Sequence, residues 1–264
     1  MRSNKRLSKL LIVFLIIVIA VCVYIVSGAV VAKSSSDAET SKINKILVES
    51  NHDEQNQQYN RENKTEEKKE RVPFTKTAFQ KLKEVNSDLI GYIEFNSGIV
   101  SQPIVQSSEV DFYMRRSFYK QHNEQGTIFL DENMTLEDTN FVLYGHNVYY
   151  DASAMFSPVS KLVNQQYYEN NKYFKIYTDS KVKEFEITNV YYVDESEGYI
   201  YQENTFLYED EFNEWIKIPN ERNLILPTEH IHFGDKFATL QTCKAWKSTE
   251  RIIVLAKLMN EYDY

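Results

Sequence analysis

Cys243 closes the apolar stretch "FATLQT" (237–242), and Arg251 opens the next one, "RIIVLAKL" (251–258). If both are strands and antiparallel neighbours, the loop "KAWKSTE" returns the arginine to the thiol. A nucleophilic cysteine needs a nearby proton donor and acceptor, and acyl transfer needs positive charge or N–H donors where the carbonyl oxygen becomes an oxyanion. His146 fits the first need. "NFVLYGHNV" runs an apolar strand into a glycine turn and presents the imidazole at the strand end, where loops expose functional groups on a rigid scaffold. Spacing alone leaves the plain readings open: an inert buried cysteine, a surface turn histidine and a surface ion pair for Arg251.

The other histidines offer less. His52 lies in a polar, charged stretch and His122 in the loop "YKQHNEQG". His230 and His232 have the alternating spacing that puts two ligands on one strand face, but two ligands make a weak metal site. No metal is expected.

The second cysteine, Cys22, sits inside an uncharged apolar run from Leu10 to Ala32, long enough to cross a bilayer as a helix. It is therefore no disulfide partner for Cys243. The run is too long for an ordinary signal-peptide core and is followed by a weak cleavage site, so an uncleaved anchor is expected. Arg2, Lys5, Arg6 and Lys9 precede it, which places residues 1–9 in the cytoplasm and the remainder outside the cell. An extracellular thiol without a partner then stands out as a candidate reactive group.

Residues 33–72 are polar and densely charged, too poor in apolar side chains to offset the entropy of ordering, and predict a stalk with at most a short helix near 43–48. The folded domain is expected over 73–264, a normal single-domain length. The formal net charge of −8 gives no footprint for nucleic acid. In "TKTAFQKLKEVN", Phe79, Leu82 and Val85 recur at helical spacing. Eight strands follow, at 90–95, 99–105, 127–130, 140–144, 172–178, 182–193, 237–242 and 251–258, rich in Val, Ile, Phe, Tyr and Thr. A longer helix over 205–218 carries Tyr208, Phe212, Trp215 and Ile216 on one face, with Pro219 stopping it. The pattern is mainly β: a closed or nearly closed barrel with peripheral helices.

Together, "TLQTC" ending one strand, an arginine opening the next and "YGHN" well upstream resemble the sortases, membrane-anchored cysteine transpeptidases of Gram-positive bacteria. The resemblance covers about residues 75–258. The N-terminal anchor, the first helix, "NSDLIGYIEF", "QPIVQSSEVDFYM" and the long helix before the cysteine strand point to class B. The chain departs from the class at Gln241, commonly Ser, and at Val110, commonly Asn; both positions border the family's substrate groove.

The resemblance implies an eight-stranded sortase-type barrel with an N-terminal helix and a long helix before the cysteine strand. It implies Cys243 as nucleophile, Arg251 at the oxyanion and His146 as acid and base, with no cofactor. It further implies that Met114, Tyr144, Tyr199, Ile200, Gln241 and Thr242 face a peptide. The partners would be secreted proteins bearing a C-terminal NPxT or (S/P)PxT signal and an amino group of peptidoglycan. Two other readings are a membrane-anchored cysteine protease, with water as acceptor, and a surface adhesion or scaffold protein with a structural Cys243.

Overall fold

The computed structural model describes residues 2–59, 74–198, 200–227, 230–245 and 248–263. Its strands are β1 (Leu89–Phe95), β2 (Ser101–Val105), β3 (Ile128–Leu130), β4 (Asn140–Tyr144), β5 (Tyr173–Tyr177), β6 (Lys181–Asp194), β7 (Phe237–Cys243) and β8 (Glu250–Asp263). They close into a barrel in the order β1-β2-β3-β4-β7-β8-β6-β5. Each lies where β-branched and aromatic residues predict a strand. The largest difference is β8, which runs on to Asp263 because β6 pairs with it along its whole length, from Lys181 opposite Asp263 to Asp194 opposite Glu250.

Most neighbours are antiparallel, but β2/β3 and β4/β7 are parallel. A parallel pair cannot be joined by a tight hairpin and needs a crossover. Between β4 and β7 that crossover contains α3 (Gln165–Asn171), β5, β6 and α4 (Glu209–Glu221). It sets Tyr144 beside Gln241, so two segments about a hundred residues apart end side by side. Inside the barrel, Ile104, Ile128, Leu143, Leu240 and Val254 are fully buried.

Helix α2 (Lys76–Val85) starts at Thr75, whose hydroxyl accepts from Ala78 N at 3.1 Å. Phe79 and Leu82 are buried as their spacing predicts, whereas Val85, in the last turn, is exposed. Helix α4 starts later than predicted. Tyr208 is its exposed N-cap rather than part of the buried face, which consists of Phe212, Trp215, Ile216 and Pro219. Pro219 does not stop it: the proline falls in the final turn, where its missing N–H removes a single bond, and the helix reaches Glu221.

The first helix differs most from expectation. Helix α1 (Arg2–Tyr59) continues from the apolar run through residues predicted as stalk. Its helical spacing of Ile43, Ile46 and Leu47 gives the polar segment a narrow apolar stripe, which packs with Phe74, Phe79 and Leu82. The apolar part is long and hydrophobic enough to cross a membrane.

Candidate active site

The parallel β4/β7 pair and the antiparallel β7/β8 pair bring three candidate residues to one end of the barrel. Cys243, the last residue of β7, is paired directly with Arg251 on β8, so the side chains share a face. His146 lies two residues beyond β4. The β4/β7 ladder continues past the strand end, with Gly145 N donating to Gln241 O at 3.1 Å.

Three features hold the histidine loop. Asn147 Nδ2 donates to the carbonyls of Cys243 at 3.0 Å and Lys244 at 3.2 Å, tying the loop to the end of the cysteine strand. Phe156 N donates to His146 O at 3.0 Å. Gly145 lets the fully buried Phe156 ring close on the backbone, since a Cβ there would stand 2.5 Å from the ring. That contact is the steric reason for glycine before the histidine.

His146 Nε2 lies 2.8 Å from the Met114 carbonyl. A carbonyl only accepts, so Nε2 carries the proton and Nδ1 is the acceptor of the neutral ring. Gly126, with φ of +64°, passes so close that a Cβ would stand 2.6 Å from the same Met114 oxygen. Burial pulls the imidazole pKa below its ordinary value, against the hydrogen bond to Met114, and the Arg115 and Arg251 charges add to the fall. Burial pushes the Cys243 thiol up. Both shifts favour the uncharged forms, thiol and imidazole.

Arg251 is held from two sides. Its Nη1 donates to Ser248 O at 2.7 Å, and its Nη2 forms an ion pair with Glu195. Glu195 directly follows β6, and its N–H donates to Thr249 O at 3.0 Å. It also begins the segment that leads to α4. Farther along that segment, Gln202 Nε2 donates to Asp131 Oδ2 at 3.0 Å, Tyr144 Oη donates to the same oxygen at 3.0 Å, and Gln202 also hydrogen-bonds Tyr144. Asn140, fully buried on β4, donates to the carbonyls of Tyr201 at 3.0 Å and Glu203 at 2.8 Å. The wall between β6 and α4 is therefore fixed to β3, β4 and β8.

The other sequence candidates separate. Met114 holds His146 through its carbonyl, and its side chain is exposed. Tyr144 is half-buried at the end of β4 and engaged by Gln202 and Asp131. Ile200 packs against the main core. Gln241 shares the face of Cys243 by strand alternation and is largely buried. Thr242 does not share that face: it lies opposite, with Ala238 and Leu240, fully buried, and its hydroxyl has no hydrogen-bond partner among the described residues. Strand alternation is the physical reason, because the side chain next to Cys243 must turn into the barrel. Tyr199 lies outside the described residues.

Sequence reasoning missed Asn147, Asp131, Glu195 and Gln202. Only Asn147 carried a signal, as the last residue of "YGHN". Elsewhere, His122 is exposed and 3.0 Å from Glu124, while Lys257 Nζ donates to His230 O at 2.9 Å. Among the described residues, no group of three or more His, Cys, Asp or Glu side chains could hold a metal ion.

Residues 96–259 match the family model described as a sortase domain. The chain is 24% identical to Sortase B of Staphylococcus aureus over 185 residues, covering 69% of this chain and 74% of that protein. It is also 24% identical to Sortase B of Listeria monocytogenes over 184 residues, covering 68% and 73%. Among solved structures, Clostridium perfringens sortase B superposes with a TM-score of 0.63 at 28% identity, covering 69% of this chain and 99% of that one. The S. aureus sortase B-substrate complex superposes with a TM-score of 0.64 at 23% identity, covering 70% and 86%.

Proposed function

Since this chain belongs to the sortase family, in its class B branch, we propose that its transpeptidase chemistry runs through Cys243, His146 and Arg251. The observation that carries this reading is the direct β7/β8 pairing of Cys243 with Arg251, with Asn147 tying the histidine loop to the same strand end.

In this reading the Cys243 thiolate attacks the carbonyl carbon of a threonine in a C-terminal sorting signal of the NPxT or (S/P)PxT kind. The new S–C bond forms as the C=O electrons move onto oxygen, and an Arg251 N–H stabilises that oxyanion. When the tetrahedral centre collapses, the amide C–N bond breaks, protonated imidazolium at His146 gives its proton to the departing amine, and a thioacyl enzyme remains. An amino group of peptidoglycan then attacks the thioester, with neutral His146 taking its proton, and the thiolate leaves. One acyl bond replaces another, so no nucleotide is consumed. Water is the competing acceptor, and the amine must be positioned to win.

The resting geometry bears on the first step. Thiolate and imidazolium must coexist, yet burial moves both groups toward their neutral forms. A bound peptide that displaces the Met114 carbonyl from His146, or adds an N–H near the thiol, would shift that balance. Residues facing the peptide in this reading are Met114, Tyr144, Tyr199, Ile200 and Gln241, with Thr242 contributing through the strand backbone. The apolar part of α1 serves as a single-pass anchor, its N-terminus cytoplasmic and the barrel outside.

The test uses the full chain in detergent with peptides containing NPQTN, SPKTG, PPKTG or LPETG, each with and without an amine acceptor, read by mass spectrometry. Cleavage after threonine, diverted to an amide product by the amine and lost in Cys243→Ala, is the expected result. Hydrolysis unaffected by any amine would favour a protease with the same residues, and cleavage retained by Cys243→Ala would defeat the assignment.

A further inference from the structure

Helix α1 fixes the barrel's height above any membrane that it spans. Successive residues rise about 1.5 Å along the axis, so each domain contact on the helix has a level. Among the described residues, the lowest polar contact is at Lys33, the first charge after the apolar run, which forms an ion pair with Asp151. Next is Ser36, hydrogen-bonded with Asn123, both side chains being buried. Higher up, Lys42 lies over the Tyr119 ring, and Ile43 and Leu47 enter the α2 cluster. Ala29 and Ala32, on the same helical face as Lys33 and Ser36, are half-buried although they belong to the apolar run. Among the described residues, the loop carrying Asp151 thus makes the lowest polar contact on this helix.

We propose that this loop, residues 147–153, is a membrane-contacting surface that rests in the headgroup region of the bilayer beside the end of the anchor. The inference rests on the reading of α1 as an anchor. The loop suits that position chemically. Tyr149 is 53% exposed, its ring edge-on to Tyr150 with centroids 4.9 Å apart. Tyrosine collects at membrane interfaces because its ring favours the apolar side while its hydroxyl stays hydrated. The loop "NVYYDAS" has one charged side chain, Asp151, and Lys33 pairs with it, which lowers the cost of bringing the carboxylate near an anionic surface. His146 lies three residues before Tyr149, so the contact turns the catalytic end of the barrel toward the bilayer.

The test places tryptophan at the contact: Tyr149→Trp in the full chain, reconstituted in phosphatidylglycerol and phosphatidylcholine vesicles with or without lipids brominated on the upper acyl chain. Wild-type emission is subtracted to remove the native tryptophans. The expected result is at least about twofold quenching of the added tryptophan, as for an interfacial aromatic, and its loss in Lys33→Glu, which sets two carboxylates against each other. Hydrogen exchange of the unsubstituted chain provides a second reading, with residues 147–153 slower in vesicles than in detergent. Carbonate extraction of the same vesicles separates the two premises: release of the chain defeats the anchor reading. A retained chain with no added quenching and no slowed exchange defeats the membrane contact alone.

Discussion

The two ends of the β6/β8 pair carry charge in opposite ways. At one end Lys183 is buried, and its ammonium donates to Leu136 O at 2.6 Å and Glu137 at 2.8 Å and forms an ion pair with Glu261 at 3.4 Å. At the other end Arg251 is pinned by Ser248 and Glu195, yet the cysteine opposite it is half-buried and pushed toward its neutral form. A saturated cluster stabilises a fold. A site that must change protonation during a reaction keeps groups whose charged states are incompletely supported until substrate arrives.

Substitutions at the two ends should therefore separate activity from stability. Cys243→Ala breaks the contrast most severely, lowering cleavage and transfer on the order of 10⁴-fold or more while leaving the melting temperature near wild type. Arg251→Lys should cost about a hundredfold in kcat, because a point charge cannot keep the Ser248 and Glu195 contacts and also serve an oxyanion. Lys183→Met is the mirror experiment. It should lower stability by about 1–3 kcal/mol by calorimetry, with kcat unchanged well below the transition. A fall in kcat without a fall in stability would erase the distinction between the ends.

Smaller effects sharpen it. Gly145→Ala drives a Cβ into the Phe156 ring and should reduce kcat on the order of tenfold, with a stability loss of about 1–3 kcal/mol as the ring shifts. Glu195→Gln keeps a hydrogen-bond acceptor for Arg251 but removes its counter-charge, so kcat should fall about threefold with KM unchanged. The pH profile follows from the directions of the two shifts. Below the lowered imidazole pKa the thiol–imidazole pair holds two protons and too little thiolate. Above the raised thiol pKa it has lost both protons, and with them the acid. The kcat/KM curve should be a broad bell, its acid limb below the ordinary histidine value and its alkaline limb above the ordinary thiol value.

The barrel was legible because its signal is local. Alternating Val, Ile, Phe and Tyr mark each strand, and "TLQTC", "YGHN" and Arg251 mark the strand ends where we propose the chemistry. What was not legible depends on pairing across the fold. Glu195 resembles any surface glutamate until β6 and β8 set it beside Arg251, and Asp131 and Gln202 acquire a role only where β3, β4 and the wall before α4 meet. The resemblance sets Thr242 at the peptide, but neighbouring residues of a strand face opposite sides, so its side chain turns into the barrel and only its backbone stays on the Cys243 side. The polar half of α1 read as a stalk because composition hides a stripe as narrow as Ile43, Ile46 and Leu47.

The account stands most directly on whether Cys243 carries the acyl group. The full chain would be mixed with an excess of an NPQTN-containing peptide, quenched in acid within seconds, and examined by intact-mass and fragment spectrometry. The structure and family membership predict an adduct equal to the peptide through its threonine, located on Cys243 and discharged to an amide when an amine is added. Turnover of the peptide with no adduct on Cys243, or an adduct on another residue, would contradict it.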